Sequence, residues 1–234
     1  EHLNNPVNYL QITKTAIQNR RFLWTMKKVF QEFYSNGNWY SNETKYLKTF
    51  QETVSIQIPN FYCLPKLHKT GRLKGRPIAG AVSWITTPFS RILNSRLEPV
   101  MNTLDFILKN SLQLVQELEF ANTQNLGDSI YLITGDIESL YPNINIDKLK
   151  EICKTADFEL EPIANFVLDH SYVQYKDNIY QQLEGIPMGT NADVHLANLY
   201  LSKILDPYLS SRPQVIYYRR YIDDIFLIWR GNLE

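Results

Sequence analysis

The chain has 234 residues, 44% of them apolar and 13% aromatic, which is enough for a buried core in one large domain or two small ones and excludes disorder over most of the length. Formal charge is zero, from 24 basic and 24 acidic residues, and taken alone this argues against a nucleic-acid binder. With two cysteines, Cys63 and Cys153, neither a disulfide framework nor a zinc site is expected. The polar start and the lack of a run of ~18 apolar residues predict no leader, no membrane contact and an intracellular setting, with nucleus and cytoplasm undistinguished.

Residues 1–52 read as helical. Ile17, Phe22, Trp24, Val29, Phe30 and Phe33 recur at roughly helical spacing, Ser35-Asn36-Gly37-Asn38 breaks the pattern, and a second short helix is expected near Lys45 to Phe50. Val54, Ile56 and Ile58 alternate with polar residues and predict a strand. Pro59, Pro65 and Pro77 forbid a long helix, and Lys69 to Gly75 reads as a basic hairpin tip. A helix is expected from Thr87, with Pro88 in its first turn.

Tyr131 to Ile137 is rich in β-formers and contains Asp136. Helices follow near Asp147 to Thr155 and Glu161 to Ser171, then a hairpin over Val173 to Leu183 turned at Asp177-Asn178. A tight Gly185–Gly189 loop precedes a largely buried helix from Asn191 to Leu205. A last hairpin, Val215 to Trp229, is interrupted by Asp223-Asp224. The order suits an α+β fold with helices on one face of a sheet.

Charge is unevenly placed. Thr53 to Leu97 holds no acid but contains Lys66, Lys69, Arg72, Lys74, Arg76, Arg91 and Arg96. Such a field attracts a polyanion, although a solvated basic loop would have the same composition.

Asp223 and Asp224 sit side by side between strongly apolar β-runs. Asp is an ordinary turn residue, but two adjacent like charges gain nothing there unless a cation joins them. Asp136 also ends a β-run, so three carboxylates on neighbouring strands would make an oxygen site suited to Mg²⁺.

Gly135-Asp136-Ile137-Glu138-Ser139-Leu140-Tyr141, Gly185-Ile186-Pro187-Met188-Gly189 and Tyr221-Ile222-Asp223-Asp224 resemble motifs A, B and C of reverse transcriptases, in that order. Phe61 to Lys69 with Arg76-Pro77-Ile78, and Arg220 to Trp229, are more narrowly similar to Penelope-like retroelement enzymes. The resemblance runs from about Pro59 to the end, and more faintly from Leu3. It implies a right-hand polymerase with an N-terminal helical extension over 1–58, fingers over 59–130 and a palm over 131–234. The palm would carry an RRM/ferredoxin-like antiparallel sheet packed on helices, with 147–185 as the place for a fingers insertion.

The implied activity is RNA-directed DNA synthesis, adding deoxynucleotides to a DNA or RNA primer on an RNA template. An RNA-directed RNA polymerase and an inactive nucleic-acid-binding module are the alternatives. The implied cofactor is a pair of Mg²⁺ ions, with Mn²⁺ as a substitute, held by Asp136, Asp223, Asp224 and the Ile137 carbonyl. Lys66 and Arg76 match positions that contact the incoming triphosphate. Tyr141, five residues after Asp136, matches an aromatic gate against the ribose 2′-hydroxyl. Gly185, Pro187, Met188 and Gly189 would floor the nascent base pair, and Lys69, Arg72 and Lys74 would touch nucleic acid.

Three departures stand out. Met188 replaces a glutamine of many relatives, Ala192-Asp193-Val194-His195 replaces a common Ala-Pro, and the chain stops ten residues after Asp224. A satisfied helix histidine is the expected state of His195. The thumb, the primer grip and any nuclease domain are expected to be missing.

Overall fold

The computed structural model describes residues 2–65, 75–122 and 129–232. Lys66, Lys69, Arg72, Lys74 and the basic hairpin tip lie outside the described residues. In chain order the elements are β1 (Tyr9–Thr13), α1 (Ala16–Asn36), α2 (Ser41–Thr53), β2 (Phe61–Pro65), β3 (Gly75–Ala79), α3 (Thr87–Met101), α4 (Ser111–Asn122) and β4 (Ile130–Asp136). They continue with α5 (Ile146–Ala156), α6 (Leu160–Asp169), β5 (Tyr172–Tyr175), β6 (Asn178–Gln182), α7 (Asp193–Ile204), α8 (Asp206–Ser210), β7 (Val215–Tyr221) and β8 (Asp224–Arg230). Among the described residues no helix is long and apolar enough to cross a membrane.

Two expectations of the sequence reading do not hold. Tyr9–Thr13 is a strand within the segment read as helical, because it pairs antiparallel with β6. Val54 to Ile58 forms no strand. Its alternation is real, with Ile56 buried, but Gln57 donates to the Ser83 carbonyl in a loop and the segment has no ladder partner among the described residues.

The chain divides into two compact units, one of residues 1–97 and 141–193 and one of residues 98–140 and 194–234. The boundaries read from sequence, after residues 58 and 130, both fall inside units. The segment 147–185 belongs with the first 97 residues.

In the first unit β1, β6 and β5 form one antiparallel sheet and β2 pairs with β3. Its core is aromatic. Phe33 of α1 stacks on Phe166 of α6 at 4.0 Å between ring centroids, and Phe89 of α3 meets both rings edge-on at 4.9 Å. Phe30 and Trp39 close the cluster at 5.3 Å from Phe89. Helical spacing on α1 thus turns Met26, Phe30 and Phe33 inward. Thr15 caps α1 by accepting from the Gln18 N–H.

Glu43, in the first turn of α2, accepts from the Tyr40 N–H at 2.9 Å, and its carboxylate accepts two bonds from the Arg96 fork, at 2.8 and 2.6 Å. Both side chains are about nine-tenths buried. Donating to Glu43 raises the Arg96 pKa further, while burial opposes it. Cys153 is buried and free, and burial pushes its thiol up to about 12, which makes it a packing residue without nucleophilic character at neutral pH.

In the second unit β8 lies between β4 and β7 in a three-stranded antiparallel sheet. Residues 106–108 run along the outer edge of β7, where Arg220 exchanges hydrogen bonds with Phe106 and Leu108.

Removing Glu43 takes both short bonds from the largely buried Arg96 fork and leaves Glu159, at 3.6 Å, as its carboxylate neighbour among the described residues. Glu43→Ala is expected to lower unfolding free energy by about 3–5 kcal/mol. Adding Arg96→Leu should recover part of that loss, which a urea-denaturation double-mutant cycle measures.

Candidate active site

The register of the second unit's sheet places the three aspartates. Asp136, the last residue of β4, is the Cα partner of Asp224, the first residue of β8. Directly opposed residues in antiparallel strands point to the same face, so the two carboxylates share one. Asp223 lies in the turn just before, and the ladder reaches it through the Ile137 N–H, which donates to the Asp223 carbonyl at 3.0 Å. Asp136 and Asp224 are exposed and Asp223 half-buried. None of the three has an ion-pair or side-chain hydrogen-bond partner among the described residues.

The donor set is all carboxylate and carbonyl oxygen, uncompensated by any described cation, and this fits Mg²⁺. Among the described residues no three His, Cys, Asp or Glu side chains stand close enough together to make a finished cage.

The turn itself is strained. Tyr221 pairs with Asp224, leaving a two-residue loop, Ile222-Asp223. Such loops need a positive φ at their first residue, normally supplied by glycine. Here Ile222 supplies it, at φ 56°, and a β-branched residue there costs about 1–3 kcal/mol.

What holds it is Arg220, on the opposite face of β7 from Tyr221 and fully buried. Its five N–H donors meet five acceptors. Nε and Nη2 grip the two oxygens of Asp206 at 2.8 and 3.0 Å. Nη2 also reaches the Asn198 carbonyl at 2.9 Å, and Nη1 bonds the Asn198 side-chain oxygen and the Ile222 carbonyl, the latter at 3.4 Å. Tyr218 donates its hydroxyl to Asp206 as well, and burial together with that carboxylate pushes its own pKa up.

The sequence reading assigned no role to Arg220, Asp206 or Asn198. The available signal was a pair of adjacent arginines, Arg219-Arg220, in a strand otherwise built from Ile, Tyr and Val, one of which must point inward.

On the other face, Glu117 of α4 accepts from Arg219 at 2.7 Å and from Tyr217 at 2.9 Å. Tyr221 and Ile222 border an open groove of about 570 Å³ with Lys109, His195 and Asn198. His195 is half-buried on α7 and has a partner, as expected of a satisfied helix histidine.

The remaining sequence-picked residues that are described lie in the first unit. Tyr141 opens a 3-10 turn, is half-buried, and accepts the Ile186 N–H through its carbonyl at 2.9 Å. That contact explains Gly185. At φ 78°, a Cβ there would stand 2.6 Å from the Tyr141 oxygen. Gly189, at φ 108°, passes 3.0 Å from the Ala79 carbonyl oxygen by the same measure. Met188 accepts from the Ala79 N–H at 3.0 Å. The Gly185–Gly189 loop is therefore stitched both to Tyr141 and to the end of β3. Pro187 and Met188 line a cavity of about 220 Å³ with Phe61, Ile78 and Pro142. Arg76 is exposed on β3 opposite Leu64.

Comparison with known proteins assigns the chain to a family. Residues 67–234 match the model of the reverse transcriptase (RNA-dependent DNA polymerase) family, and the chain belongs to that family. No curated protein matches it in sequence. Among solved structures it is similar to telomerase from Candida tropicalis, with 11% identity and a TM-score of 0.57 over 80% of this chain and 43% of that one. A second similar structure is telomerase from Candida albicans in complex with a TWJ fragment of telomeric RNA, with 10% identity and a TM-score of 0.56 over 96% of this chain and 46% of that one. At these identities the likeness is one of fold, a mixed helix-and-sheet fold like that of telomerase. The chain spans less than half the length of each of these proteins.

Arg220→Ala would leave Asp206 charged and dry, and is expected to cost about 3–5 kcal/mol in urea denaturation. Arg220→Lys should recover only part, because an ammonium cannot reproduce the five-donor fork.

Proposed function

We propose that this chain carries the catalytic core of an RNA-directed DNA polymerase. The observation that supports this most is the register that sets Asp136 opposite Asp224, with Asp223 in the adjoining turn. In this reading the palm is the β4–β8–β7 sheet with its helices, and the fingers include β2 and β3. Within that family it resembles Penelope-like retroelement enzymes, on the strength of Phe61 to Lys69 and Arg220 to Trp229.

Asp136, Asp223, Asp224 and the Ile137 carbonyl would hold two Mg²⁺ ions. When bound, these would polarise the primer 3′-hydroxyl and stabilise charge on the leaving pyrophosphate. The protein's own groups do the rest. Arg76 and Lys66 neutralise the triphosphate as its charge develops. Tyr141 holds its ring against the sugar, and the Gly185–Gly189 loop supports the base pair with bare backbone. Lys69, Arg72 and Lys74 attract the template by charge. With Met188 in place of glutamine, that position offers no side-chain hydrogen bond to the nucleotide.

The test is primer extension on an RNA template with Mg²⁺ and deoxynucleotides, using the longest protein that contains this chain. Wild type should extend, and Asp223→Ala should fall by about 10²–10³-fold, the loss expected when a group stabilising transition-state charge is removed. Equal extension by both proteins, or none by wild type, would sink the reading.

Tyr141→Ala is expected to incorporate ribonucleotides far better than wild type, while its backbone bond to Ile186 persists. A deoxy-to-ribo preference unchanged in that variant would count against the gate.

A further inference from the structure

The outer face of α1 carries a feature that none of these roles uses. From His2 to Gln31 the chain has no acidic residue, yet it holds Lys14, Arg20, Arg21, Lys27 and Lys28. On a 3.6-residue helix Ile17, Arg20, Arg21, Trp24, Lys27 and Lys28 fall within an arc of about 120°. That arc lies opposite buried Met26 and Phe30. All six residues are exposed, Ile17 and Trp24 to 61% each. The Lys28 Nζ sits 3.6 Å from the centre of the Trp24 ring. None of the four helical cations has a carboxylate partner among the described residues. Asp177 meets this helix through its main-chain carbonyl, which accepts from Asn19.

An indole left in water among unpaired cations has a definite chemical complement. Guanidinium and ammonium groups at helical spacing match phosphates along a strand, and an exposed indole offers a stacking surface to an unpaired base. A membrane surface fits less well. The apolar face that would enter a bilayer is spent on the core, leaving only Ile17 and Trp24 outside. A duplex keeps its bases stacked on one another and would leave the ring unused.

We propose that the outer face of α1 binds a single-stranded polynucleotide, with phosphates on Arg20, Arg21, Lys27 and Lys28 and one base on Trp24. Resting on the polymerase reading, the natural strand is the RNA template. Ile17 to Lys28 spans about 17 Å of helix, room for a few nucleotides.

The test uses the full chain without divalent ions or nucleoside triphosphates, so that binding is read apart from catalysis. Labelled single-stranded RNA and DNA of about twelve nucleotides, and an RNA duplex, are titrated by fluorescence anisotropy between about 50 and 200 mM salt. Charge reversal of Arg20, Arg21, Lys27 and Lys28 to Glu should weaken single-strand binding by more than about tenfold. It should also flatten the slope of log K against log salt by about 3, four phosphates at ~0.7 each. Replacement of the same four by Gln should flatten it equally, and stands in should the Glu set fail to fold. Trp24→Ala should lose at least about fivefold, with Trp24→Phe restoring most of it.

Asp223→Ala should bind as wild type does. Chains that extend primers yet bind RNA identically after charge removal would overturn this site and leave the polymerase reading standing. Binding through this face in a protein that extends no primer would do the reverse. Equal, Trp24-independent affinity for duplex would overturn the stacking contact. Attachment to phosphatidylserine vesicles in place of oligonucleotides would overturn the choice of partner.

Discussion

A guanidinium with no access to water governs the geometry of the sheet that carries the three carboxylates. Burying a charge is costly, and a buried ion pair is often no more stable than apolar residues of equal volume. The Arg220 arrangement is better explained by specificity. All five of its donors are satisfied, by Asp206, by both oxygens of Asn198, and by the Ile222 carbonyl. A fork with every donor used has one orientation. Through Ile222 it fixes the turn in a conformation an isoleucine would otherwise leave, and the main-chain bond from Ile137 to Asp223 fixes the other side. The strain is thus held by one inward arginine, on the far face of the sheet from Asp136 and Asp224, and by one main-chain rung beside them.

The first unit reaches the same end by packing. Its motif loop is pinned where two backbones touch, Gly185 against Tyr141 and Gly189 against Ala79. A Cβ at Gly185 would clash with backbone, and at Gly189 it would be tight against the Ala79 oxygen on a backbone whose φ of 108° already strains an L residue. Where the second unit tolerates a strained isoleucine because a charge network over-determines the turn, this loop uses glycine at both positive-φ positions, and the Gly189 N–H donates to the Asp193 carboxylate at 3.0 Å.

The parts of this structure that were legible in the sequence are those set by period and by punctuation. The helix from Thr87, the hairpin around Asp223 and the Gly185–Gly189 loop follow from apolar spacing, Pro88 and paired glycines. The strand at Tyr9–Thr13 was hidden, because its identity depends on β6, about 170 residues away. The expected strand at Val54–Ile58 failed for the converse reason, as alternation specifies a face and not a partner. The candidate site was legible as three aspartates, since like charges beside β-runs are conspicuous. The clamp behind them was not, because Asn198, Asp206 and Arg220 acquire meaning only when α7, α8 and β7 fold together.

Charge shows most clearly why composition needs the fold. The acid-free stretch Thr53 to Leu97 carries seven cations, but two have structural employment. Arg96 is bound by Glu43 and approached by Glu159, and Arg91 bonds Tyr46 and Asn191. Arg76 remains exposed. The quieter run from His2 to Gln31 has fewer cations, yet four of its five lie on one solvent-facing stripe without a described carboxylate partner. What a polyanion meets is the charge left after internal pairing, and by that measure a chain of zero net charge still presents a basic face.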